Sequence, residues 1–151
     1  MTPPARPATV RYYFDADILG LGKTLARLRP DMTYPGDPGD TIHKRARPAC
    51  QITKTSTLDE DWIPEVARRG WLIMIMTRDS RIQEHRAEVA AVRDNGARMI
   101  ALASRDAGGT WAQLEVFFAQ WRRIEAALDE PGPFIYTASR TAPLRAVDLG
   151  T

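Results

Sequence analysis

Hydrophobic residues recur along this chain in two periods, and the switching between them predicts the fold. Val10 to Phe14, apolar apart from Arg11 and rich in aromatic residues, is suited to a pleated strand, and it ends in Asp15. Ile18, Leu21, Leu25 and Leu28 follow at helical spacing, closed by Arg29 and Pro30. Met32 to Tyr34 reads as a short second strand. Residues 35–56, opened by Pro35, Gly36, Pro38 and Gly39, read as a long irregular loop. Thr57 with Glu60 matches the capping-box pattern, so a helix should begin there, carry Asp59 in its first turn and end at Gly70. Trp71 to Met76 is uninterruptedly apolar, which predicts a central strand buried on both faces. Its continuation through Thr77 and Arg78 to Asp79 repeats the first pattern, an apolar run closed by a carboxylate.

The second half continues the alternation. Ser80 with Gln83 opens a helix whose buried stripe is Ile82, Val89 and Val92, stopped by Asn95 and Gly96, and Arg98 to Ala103 is the next strand. Thr110 with Gln113 opens the longest helix, with Trp111, Leu114, Phe118, Trp121 and Leu128 on its expected core face. Pro131 to Pro133 ends it, and Phe134 to Thr137 is a last, edge strand. The expectation is an α/β fold: a mainly parallel central sheet flanked by helices on both faces. Three prolines in the first eight residues predict a disordered leader over 1–8, with the domain over 9–138 and a tail over 139–151.

Composition narrows the partners. At 151 residues and 44% hydrophobic the chain fits one domain with a sizeable core. Net charge is +2, so only local charge can argue for nucleic acid. Between Thr41 and Leu58 there is no acid, and Lys44, Arg45, Arg47 and Lys54 with His43 form the one clear cationic patch, suited to a phosphate backbone. Apolar runs fall short of the roughly 20 residues of a membrane span, and no signal-peptide h-region is visible. Cytoplasm is the default expectation. The single Cys50 cannot form an internal disulfide and, in a polar basic stretch, reads as a bystander thiol. Trp62 and Trp71, read as exposed, would allow a homodimer.

The carboxylates carry the chemistry. In parallel sheets ligands bind beyond the carboxyl ends of the strands. Asp15 and Asp17 follow the first strand, Asp79 follows the central one and Asp59 begins the helix before it, so all four can converge at one sheet edge. A single Asp at such a turn is commonly a helix cap; two strand ends with the same design argue for more. Oxygen-only donors suit a hard cation, Mg²⁺ or Mn²⁺, which could orient a water and stabilise charge on a phosphodiester. Two motifs compete. Gly20 to Thr24, GLGKT, looks like the end of a P-loop, but the first glycine of that motif would fall on Asp17, whose charge would face the phosphate. Asp15 and Asp17 also resemble the Asp-x-Asp of haloacid-dehalogenase-like phosphatases, a resemblance that would make Asp15 a nucleophile.

DADIL at Asp15 to Leu19, DEDW at Asp59 to Trp62 followed by IPEVARRGW, and TRDSRI from Thr77, in this order, resemble the PIN-like domains grouped with VapC-type toxins. The resemblance covers about residues 10–103 and extends loosely to the IYT at Ile135. It implies a magnesium- or manganese-dependent ribonuclease and an antitoxin partner. By position it makes Asp15, Asp59 and Asp79 the catalytic acids, with Asp17 as a further metal ligand. Where a PIN nuclease has a fourth acid this chain has Ser80 and Arg81, and Glu84 is the nearest candidate. Arg78, Arg81 and His85 would lie near the phosphate or on a solvated face. A PIN-like scaffold that binds RNA or protein without cutting is the alternative of a different class.

Overall fold

A computed structural model describes residues 4–77 and 82–150, without the side chains of 82–84. In chain order its elements are β1 (Arg6–Pro7), β2 (Tyr12–Phe14), a 3-10 turn (Ala16–Ile18), α1 (Leu19–Ala26), β3 (Met32–Thr33), β4 (Asp40–Ile42) and β5 (Arg45–Arg47). They continue with α2 (Asp59–Arg68), β6 (Leu72–Met76), α3 (Ile82–Asn95), β7 (Arg98–Leu102), α4 (Thr110–Ala119), α5 (Trp121–Ala127), β8 (Phe134–Ala138) and β9 (Arg145–Ala146). The main sheet runs β3-β2-β6-β7-β8-β9 and is parallel except for β9. It is the expected α/β arrangement, with β6 in the interior of the sheet as its apolar run required.

Period-two alternation divides the core. Tyr12, Phe14, Leu72, Met74, Ile100 and Leu102 share one cluster with Leu21 and Leu25 of α1, Val116 and Phe117 of α4 and Ile124 of α5. Tyr13, Ile73, Ile75, Met99 and Ala101 share the other with Trp62, Ile63 and Val66 of α2 and Val92 of α3. Each strand is thus covered on both faces, as a parallel sheet requires.

Several expectations are corrected. The leader is structured from Arg6 on: Arg6 N–H donates to the Lys44 carbonyl just before β5 and Ala8 N–H to the Ala46 carbonyl on it, so Pro7 falls on the side of the strand where no donor is needed. The loop 35–56 is built around the β4–β5 hairpin, which forms a second, three-stranded sheet with β1. Residues 139–151 are not merely a tail, since β9 pairs with β8 and takes the edge position expected for β8, with Val147 and Leu149 packing on the core. Trp62 and Trp71 are buried, so the argument for a dimer from their exposure falls.

The long helix breaks at Gln120 into α4 and α5, and its buried face is Gln113, Val116, Phe117, Gln120, Ile124 and Ala127. Trp111 and Phe118 are exposed instead. The two glutamines explain the misreading, because each buried amide donates to backbone: Gln113 to the Ala107 carbonyl, Gln120 to those of Ser139 and Ala142. Neither expected cap forms at α2 or α4, whose N-caps are Leu58 and Gly109; the Thr57 hydroxyl donates back to the Lys54 carbonyl.

Candidate active site at the carboxyl edge of the sheet

Asp15 is the first residue past β2. Its N–H donates to the Met74 carbonyl on β6 at 2.9 Å, and its own carbonyl accepts from Ile18 at 3.1 Å to form the 3-10 turn. Both bonds fix the backbone, and the side chain is placed in a residue only 5% exposed. Asp17, on the turn, is more exposed. Its Oδ2 accepts from the Met76 N–H at 3.3 Å, so the end of β2 is tied to the end of β6.

Asp59 arrives from the other side of the sheet. As the first residue of α2 it lies in the turn where a carboxylate is favoured by the unpaired N–H groups. Its Oδ1 accepts from the indole N–H of Trp62 at 2.9 Å. The Trp62 ring lies 5.1 Å from that of Tyr13, which also stacks on Trp71 at 6.3 Å. The Tyr13 phenol is held far above its usual range, by burial first and then by the nearby charge of Asp15, with Asp59 and Asp17 adding to it. It therefore stays protonated and neutral beneath the acids. Among the described residues no three Asp, Glu, His or Cys side chains are grouped closely enough to hold a metal ion. Asp79, with Arg78 and Arg81, lies outside the described residues, as does the side chain of Glu84; in sequence Asp79 is three positions beyond Met76.

Two features of this edge and one buried acid on α3 escaped sequence reading. Thr77 N–H donates to the Leu102 carbonyl and Thr77 Oγ1 accepts from Ser104 N–H, joining the ends of β6 and β7. Asp106 accepts from the Arg140 N–H at 3.0 Å and fastens the loop after β8 to the same edge. Glu88 is buried on α3. The spacing of Glu88 to the buried Val92 places both on one helix face, and an acid on an apolar face is the signal that could have found it.

The cationic patch does not hold together as expected. Arg47 is buried, its guanidinium bonded to Asp37 at 2.7 Å and to the Ala26 carbonyl at 2.9 Å, so it anchors the hairpin to α1 and cannot meet RNA. Lys44 and Arg45 sit at the exposed hairpin, where Arg45 shares a cleft with Arg11 and Asp31, residues at the amino ends of β2 and β3. They are therefore at the opposite edge from Asp15. Lys54 is exposed. Cys50 is buried, and burial pushes its thiol up, away from the reactive thiolate.

Residues 11–104, which span β2 through the end of β7 and include all the candidate acids, match the family model of the PIN-like domain. The chain belongs to the PIN-like domain family. Members of this family are generally nucleases and typically use divalent metal ions. Neither the curated proteins nor the solved structures give a match. Membership in the PIN-like family displaces the phosphatase reading of Asp15 and Asp17. The P-loop reading fails on structure as well, since Gly20 to Thr24 lie within α1 and the glycines serve packing. A Cβ on Gly22 would lie 2.8 Å from the Cβ of Phe14. Among the described residues no helix is long and apolar enough to cross a membrane.

Proposed function

We propose that this chain is a metal-dependent endoribonuclease that hydrolyses RNA phosphodiester bonds at the carboxyl edge of its sheet, and that it acts in the cytoplasm as the toxin of a toxin–antitoxin pair. The observation that carries the reading is Asp15, buried directly beyond β2 within the stretch matched by the PIN-like family. Carboxylates buried near one another repel, and a cation relieves the repulsion. The donor set is all oxygen, which suits Mg²⁺ or Mn²⁺. Asp15, Asp17, Asp59, Asp79 and Glu84 are the residues that would hold it. When bound, such an ion supplies an activated water and charge stabilisation at the phosphate.

The chain's own residues do the positioning. The backbone bond to Met74 fixes Asp15, the Met76 N–H holds one oxygen of Asp17, and Trp62 orients Asp59. The neutral Tyr13 gives the acids a floor with no competing charge. The toxin reading rests on the resemblance of DADIL, DEDW and TRDSRI to VapC-type domains, and it calls for an antitoxin that brings a basic side chain to the acidic edge.

The test is cleavage of a mixed single-stranded RNA pool by the purified chain, with magnesium, with manganese and with excess chelator. Metal-dependent internal cuts are expected. Tight RNA binding with no cut under any metal would overturn the reading in favour of a non-catalytic PIN-like module. Purification from the native cell with no companion protein at any growth stage would remove the toxin part alone.

A further inference from the structure

The edge of the sheet opposite the acids carries a cleft of about 640 Å³ between β1, the β4–β5 hairpin and the end of α1. Its lining includes Arg11, Arg29, His43 and Arg45 against one acid, Asp31. Arg29 and Asp31 satisfy each other through two bonds, at 3.0 and 2.9 Å, and the Arg29 guanidinium lies 4.7 Å from the centre of the Trp121 ring. That pair is a fixed wall. Arg11 and Arg45 are both exposed, and neither has a carboxylate partner among the described residues.

The hairpin that delivers Arg45 is strained. His43 and Lys44, the two residues of its turn, have φ of 50° and 63°. Positive φ at both positions is the type I′ pattern of a two-residue hairpin turn, where glycine or asparagine is the usual occupant. Strain of this sort concentrates where a ligand is held. Here it presents the His43 imidazole and the Arg45 guanidinium to the cleft.

We propose that this cleft binds a phosphate group, with Arg11 and Arg45 as the guanidinium forks that take its oxygens. Planar forks match phosphate geometry in pairs of parallel bonds, which a lysine cannot do. The Arg29–Asp31 pair keeps the wall in place without cancelling their charge. Arg11 and Asp15 are four residues apart on one extended strand, about 13 Å at 3.3 Å per residue, so this phosphate is not the one attacked. It belongs either to a free phosphate or phosphomonoester, or to the backbone of bound RNA at a distance from the cut. The second source rests on the ribonuclease reading and the first does not.

Inorganic phosphate titrated into the full chain should shift the Nε–H resonances of Arg11 and Arg45 and leave that of Arg122 unmoved. A short fluorescein-labelled single-stranded RNA, bound in chelator so that nothing is cut, gives the other arm. The double variant Arg11→Gln with Arg45→Gln should weaken it about tenfold and flatten the salt dependence by about 1.4, for two contacts at roughly 0.7 each on single strands. Lys23→Gln with Arg122→Gln removes the same charge elsewhere and should do neither. Arg11→Lys with Arg45→Lys, which keeps charge and fold but loses the forks, should fall between. Phosphate shifts with weakened RNA assign the backbone; phosphate shifts with unchanged RNA affinity assign the free ligand. Absence of phosphate shifts, equal weakening in the control variant, or displacement by polyglutamate instead of phosphate would each overturn the site. Phosphate shifts in a parent chain that cuts no RNA with magnesium or manganese would remove the ribonuclease reading and leave the cleft standing.

Discussion

The indole N–H of Trp62 holds Oδ1 of Asp59 at 2.9 Å, from a ring that is itself packed 5.1 Å from Tyr13 in the core. The acid at the start of α2 is therefore aimed from inside the protein. Trp62→Phe keeps an aromatic ring there, removes the donor and leaves a void where the rest of the indole packed. Outer partners of metal-binding side chains are worth about 10–100-fold in metal affinity, so the manganese concentration giving half-maximal cleavage should rise about tenfold or more, measured below the lowered melting temperature that the smaller ring brings. An unchanged manganese midpoint would show that Asp59 does not serve the ion.

Asp79→Asn keeps the size and shape of the side chain and deletes its charge. Metal-dependent cleavage should disappear in single-turnover assays while the circular dichroism spectrum and melting curve stay close to the parent. If the variant cuts as fast as the parent, the activity belongs to another site or to a contaminant.

Arg47 and Asp37 are both nearly sealed from solvent, and Asp37 also accepts from Thr33 and from Gly39. Removing one member of such a pair leaves the other buried and uncompensated. Arg47→Met should cost about 3–5 kcal/mol in urea unfolding. Adding Asp37→Leu should recover part of that loss; a simple sum of two losses would argue against a coupled pair.

Gly22 packs α1 directly on β2. Gly22→Ala pushes a methyl against Phe14, and overpacking of this kind should destabilise by about 1–3 kcal/mol. Gly108→Ala, where a Cβ would meet nothing within 4 Å, is the matched control and should stay near the parent in the same denaturation experiment.

The Tyr12 phenol is raised well above its ordinary value of 10.0, by burial first and then by Asp31. The folded state thus keeps a proton that the unfolded chain releases. Stability from this source is intact below pH 10 and declines as pH rises above it. Tyr12→Phe should move the alkaline unfolding midpoint upward. Measured by tyrosinate absorbance and circular dichroism together, an unmoved midpoint would place the alkaline transition elsewhere.

Local pattern was enough for the α/β alternation, the central position of β6 and the placement of Asp15 beyond β2 and Asp59 at the start of α2, because each depends on a few neighbouring residues. The stripe of the last helices was not legible from hydropathy: Gln113 and Gln120 are buried because carbonyls outside the helices, at Ala107, Ser139 and Ala142, receive their amides. Arg47 reads in sequence as one more surface cation, and nothing local announces that Asp37, ten residues away, and the carbonyl of Ala26 will enclose it.

The sequence by itself determined strands β2, β3, β6, β7 and β8, the helices between them and where the first carboxylates stand, since periodicity and chain order act over short range. Tertiary structure alone decided how the cations divide. Pairing of Arg6 and Pro7 with β5 carried the hairpin to the amino edge of the sheet, withdrew Arg47 into the core and set Arg45 beside Arg11 and Asp31. Backbone hydrogen bonds between segments some forty residues apart made that separation, and charge pattern along a chain carries no record of them.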